Sequence, residues 1–170
     1  MFGRFKISAK RKRPLKPKNT QYLTHKEAAR ALMHDRLHYF NQFYQVTYNR
    51  VAIKDQRRCW GSCSSKGNLN FSYKLLFLPP CLRDYVILHE LCHLRVLNHS
   101  IHFWNEMSLV MPDYEMRAQM LRTIERTHGT SLRALKKVSE THDCVHCSST
   151  YVSSTPGMMK EIIGTGVVIA

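Results

Sequence analysis

Residues 82–97, LRDYVILHELCHLRVL, place two imidazoles and a carboxylate inside a strongly apolar run. The run has the length and periodicity of a helix, and Tyr85-Val86-Ile87-Leu88 mark that helix as buried. At about 100° per residue, His89 and His93 stand roughly 40° and one turn apart, so both rings leave the same stripe. Their neutral nitrogens can then reach one ion at about 2.0–2.1 Å. Glu90 falls about 100° round from His89, beside such an ion rather than on it, where it can accept a proton from a water. The competing reading is an amphipathic helix whose polar face carries two histidines. Burial weighs against it, because polar groups inside a core cost free energy unless each is satisfied, and a metal satisfies these.

A catalytic zinc needs a third protein ligand and one open position. His99 lies just beyond the expected helix end, and a turn at Leu97-Asn98 could swing it back toward the ion. The spacing equals that of HExxHxxGxxH sites, but Val96 stands where those need glycine, so a different loop path is expected. His102 competes for the role, and Glu106 or Glu115 would give a His, His, Glu set instead. His99 is the preferred third ligand.

The 170 residues suit one domain and can bury a core without disulfide or metal staples. Apolar residues at 44% and charged residues at 22% exclude wholesale disorder. No apolar run approaches the roughly 20 residues of a membrane span. The N-terminus is basic where a secretion signal needs its apolar stretch, so a cytoplasmic location is expected, although mitochondrial presequences share that basic character. The net charge of +14 is uneven. Residues 1–18 hold Arg4, Lys6, Lys10, Arg11, Lys12, Arg13, Lys16 and Lys18 and no acid, leaving +6 on the remainder. They read as a flexible basic tail, either solubilising or able to attract nucleic acid and anionic surfaces.

Thr24 and Glu27 form a capping box opening a helix over about 25–44, with Leu32, Met33, Leu37, Phe40 and Phe43 or Tyr44 facing inward. Residues 46–54, the segment around 60–64 and residues 69–73 read as extended, with a turn at 65–68, and together suggest a small antiparallel sheet. Pro79-Pro80 prepares the helix over 82–97, which closes at Asn98. Ser100 caps a helix to about Met111, a further helix covers about 114–127 and stops at Gly129, and Ser131 caps a short one to about Ser139. No structure is assigned to residues 141–170.

Three ordered blocks carry a resemblance. They are Arg57-Arg58-Cys59-Trp60-Gly61-Ser62-Cys63-Ser64-Ser65-Lys66-Gly67-Asn68, then Leu78-Pro79-Pro80, then HELCHLRVLNHSIHFW from His89 to Trp104. Over about residues 20–125 the sequence resembles the YgjP-like metallopeptidases, relatives of the SprT-like and Spartan proteases in the zincin superfamily. The resemblance implies an α+β zincin-like domain over 19–128, with a small antiparallel sheet and an active-site helix. Residues 129–170 form a C-terminal extension. It implies one zinc ion per chain held by His89, His93 and His99, with Glu90 as catalytic base. The implied activity is metalloendopeptidase hydrolysis of peptide or protein substrates by a Glu-activated, zinc-bound water. The expected substrate pose is an extended peptide along the sheet edge. Two departures stand out. Ile101 replaces a proline common after the Asn-His-Ser unit, and Cys59 occupies the arginine position of an Arg-Trp-Gly-Ser-Cys block, whose role Arg58 could take over. The expected molecule is a monomer or weakly associating. The alternatives are a nucleic-acid-associated protease recruited through the tail, as Spartan-like relatives are, and a non-catalytic zinc-stabilised binding module.

Other residues draw blander readings. Cys92 should point away from the metal as a small core residue, and Cys59 and Cys63 are structural rather than redox or metal-binding. Cys144 and Cys147 have CxxC spacing with His142 and His146 nearby, but with no second CxxC a free thiol pair is favoured over a second zinc site. Trp60 and Trp104 should pack near the site, and His25, His34 and His38 are surface or boundary residues.

Overall fold

The computed structural model describes residues 19–128 and 131–141. Helix α1 (Thr20–Tyr44) buries Ala29, Met33, Leu37, Phe40 and Tyr44 at steps of three and four, while Leu32 and Phe43 lie half-buried on its flanks. It starts a turn earlier than the Thr24 capping box suggests. Asn19 is the cap, its side-chain oxygen accepting from the Gln21 amide at 3.1 Å. The Thr24 hydroxyl donates back to the Thr20 carbonyl, and Glu27 pairs with Arg30 instead of reaching the cap. An Asn cap satisfies the first free amides as well as a Thr does, so the earlier start wins.

Strands β1 (Arg50–Lys54), β2 (Gly61–Cys63) and β3 (Asn68–Ser72) form a sheet in the order β1-β3-β2. The β2–β3 hairpin is antiparallel, as expected, and turns through Gly67 at φ 70°. The sheet is nevertheless mixed, because β1 pairs parallel with β3 from Arg50 against Asn68 to Lys54 against Ser72. After β1 the chain crosses to the far edge and lays down β2. It then returns through the centre as β3, in the same direction as β1. Val51, Ile53, Leu69 and Phe71 point into the core. A 3-10 turn over Tyr73–Phe77, absent from the sequence expectations, leads to the two prolines.

Helix α2 (Pro80–Cys92) begins on Pro80, whose missing amide would have lacked a partner in any case. Leu82, Ile87, Leu88, Leu91 and Cys92 are wholly buried. The helix ends at Cys92, not at Leu97. The Leu94 amide bonds Leu91 and the Arg95 amide bonds Cys92, a tightened last turn that reverses the chain. Then follow α3 (Ile101–Val110), α4 (Tyr114–His128) and α5 (Leu132–Thr141). Ser100 occupies the cap position of α3 but makes no cap hydrogen bond, whereas the Ser131 hydroxyl accepts from Ala134 at the start of α5.

Elements α1, β2, α3 and α4 all contact α2, which runs through the middle of the molecule. Asp84, buried on α2, takes a two-pronged bond from Arg36 on α1, both contacts at 2.9 Å. Arg117 on α4 donates to the Cys81 carbonyl at 3.2 Å. The Trp60 indole, just ahead of β2, donates to Glu125 on α4 at 2.6 Å. The α+β class expected from the sequence therefore holds. No helix among the described residues is long and apolar enough to cross a membrane. The basic tail and Cys144, Cys147, His142 and His146 lie outside the described residues.

Candidate metal centre

The stripe on α2 and the turn after it bring three imidazoles to one point. Among the described residues, the ring nitrogens of His89, His93 and His99 lie within 4.8 Å of one another. Nε2 of His99 stands 3.0 Å from Nε2 of His89. Ring centroids are 4.8 Å apart for His89 and His93, and 4.7 Å for His93 and His99. A tetrahedral ion with nitrogen ligands at about 2.0–2.1 Å spaces them roughly 3.3 Å apart, near the 3.0 Å between the His89 and His99 nitrogens, and three imidazoles are a donor set that suits zinc. Nδ1 of His93 lies 3.1 Å from the Val96 carbonyl, which fixes the proton on that nitrogen and leaves Nε2 free to ligate.

Aromatic rings hold the trio. Phe103, wholly buried on α3, sits beneath all three imidazoles at 4.6–4.9 Å between centroids. Trp104 stacks on the exposed His99 at 5.6 Å, and Tyr114 stacks on Trp104 at 5.2 Å. Phe103 was not singled out in the sequence, where its apolar type and helical spacing mark it only as core. Burial lowers the His89 pKa to about 3, with the neighbouring His93 and His99 acting in the same direction, so the ring stays neutral as a ligand must. The same burial lowers His93.

Glu90 is buried beside the trio, and its Oε2 has no hydrogen-bond partner. Burial alone pushes its carboxyl up to about 8. The side chain lies flat over Gly61 of β2. A Cβ on Gly61 would meet Glu90 Cγ at 2.6 Å and Oε1 at 2.7 Å. The sequence signal for that approach is a glycine inside a strand. A cavity of about 280 Å³ opens in front of Glu90 and His89, walled by Trp60, Gly61, Tyr85 and Val86, with Arg58 at its lining.

The rival ligands lie elsewhere. His102 is exposed on α3 outside the trio, Glu106 pairs with Arg95 at 3.4 Å, and Glu115 accepts from the Tyr114 hydroxyl. Cys92 is wholly buried and donates to the Tyr44 hydroxyl, away from the imidazoles as expected. Cys59 and Cys63 are free thiols, the first exposed. Trp60 and Trp104 both border the site, while His34 and His38 are exposed and His25 packs half-buried against Phe77.

The family model for the YgjP-like metallopeptidase domain matches residues 4–124, and the chain belongs to that family. Two solved structures are similar. The metallopeptidase zymogen of Pyrococcus abyssi abylysin is 24% identical with a TM-score of 0.49, covering 54% of this chain and 92% of its own. The metallopeptidase zymogen of Methanocaldococcus jannaschii jannalysin is 22% identical with a TM-score of 0.44, covering 58% and 95%. No curated protein matches the sequence.

Proposed function

We propose that this metallopeptidase domain cleaves peptide bonds internally, with zinc held by His89, His93 and His99 and with Glu90 as the general base. The observation that carries this reading is the convergence of three ring nitrogens within 4.8 Å beside a buried, unpaired carboxylate oxygen. The chemistry such an ion supplies is acidification of a water toward a pKa of about 7 and polarisation of the scissile carbonyl. Glu90 accepts the water's proton as the oxygen bonds to the carbonyl carbon. It passes that proton to the departing amine as the C–N bond breaks. Its raised affinity for protons suits the second half of that relay, and a nearby cation acts in the opposite direction, favouring the first.

Substrate binding follows from the sheet. β2 is an outer strand with one edge unpaired within the sheet, and Gly61 at its start lies against Glu90. An extended peptide added along that edge gains backbone hydrogen bonds and carries its scissile bond past Glu90. Glu90→Gln should abolish cleavage of labelled casein while the protein keeps one zinc by metal analysis. His99→Ala should lose the metal, whereas His102→Ala should keep it. Turnover surviving in the Glu90→Gln variant removes the base assignment, and metal lost only in His102→Ala removes the ligand set.

A further inference from the structure

A second depression, of about 480 Å³, adjoins the trio through His93. It shares no lining residue with the cavity at Glu90. Gly61 at the start of β2 borders the first cavity, and Ser64, just past its end, borders the second. The two depressions therefore lie at opposite ends of the trio, the first at His89 and the second at His93.

The lining of the second depression is polar and one-signed. It includes Lys66, Arg95, Ser64 and Ser65, and no acid. Arg95 is already met by Glu106 at 3.4 Å. Lys66 stands exposed on the hairpin turn, and among the described residues no carboxylate pairs with it. Its backbone is fixed from both sides, since its carbonyl accepts from the Asn49 side chain and Gly67 closes the turn behind it. The backbone that carries this cation is thus fixed at the rim of an acid-free depression in the size range that binds ligands.

We propose that this depression is a subsite for acidic side chains of the peptide substrate, with Lys66 as the residue that selects them. The proposal rests on the peptidase reading above. A single partly exposed ion pair predicts about a fivefold preference in kcat/KM.

The test uses the zinc-loaded full chain as wild type, Lys66→Ala and Lys66→Glu, each digesting a mixed peptide library whose cut sites are read by mass spectrometry. Zinc content and the thermal midpoint, expected to be unchanged, serve as fold controls. Asp and Glu should be enriched about fivefold at a position on one fixed side of the cut in wild type. The enrichment should vanish in Lys66→Ala and turn toward Lys and Arg in Lys66→Glu. Cleavage without acidic enrichment, or enrichment that survives both substitutions, overturns the subsite alone. No cleavage by the zinc-loaded wild type overturns the peptidase reading and the subsite with it.

Discussion

Gly61 and Glu90 show how closely two single residues can depend on each other. The carboxylate occupies the volume that a methyl on Gly61 would fill. Gly61→Ala should therefore displace the proposed base by about an ångström. Misplacement of that kind lowers kcat by about 100-fold while leaving the zinc ligands untouched. Steady-state kinetics beside metal analysis checks both halves of that expectation. At this scale the sequence was informative where partners sit one turn apart, as His89 and His93 do. His99 was legible too, because the turn that returns it lies only a few residues beyond the helix. The facing of Gly61 and Glu90 joins positions far apart in the chain, so a glycine in a strand signals a close approach without naming what approaches. Phe103 beneath the three rings was hidden for a different reason, since an apolar residue at helical spacing signals burial without naming what it supports.

Among the elements, the Arg36–Asp84 contact ties α1 to the helix that carries the site. Asp84 is buried and bonded through both oxygens. Removing the carboxylate leaves the guanidinium short of its partner, a loss of about 3 kcal/mol for pairs of this kind. Asp84→Ala should accordingly lower the urea midpoint with an unchanged slope. Helix positions were largely readable because apolar spacing and prolines mark them, as for α1 and α2. Their ends were less so. Asn19 and Thr24 are both competent caps, and only packing chose between them. The parallel pairing of β1 with β3 was unreadable, because strand alternation reports which face is buried and not the direction of the neighbouring strand.

For the whole molecule, the proposed ligands join α2 to the loop that follows it, so metal binding there should couple to folding. An ion that binds only the folded chain adds about 4 kcal/mol of stability at a thousandfold excess over its Kd. Calorimetry should show the thermal midpoint of the metal-free protein rising as zinc is added, and no rise for His99→Ala. The position of α2, enclosed by α1, β2, α3 and α4, has a consequence for the life of the chain. An ordinary surface site can empty with little effect on its scaffold, whereas this one sits on the beam that the rest of the building leans against. With the ligand set proposed above, stripping the ion should therefore loosen the chain from within, and limited proteolysis with and without a chelator should show faster digestion of the metal-free form.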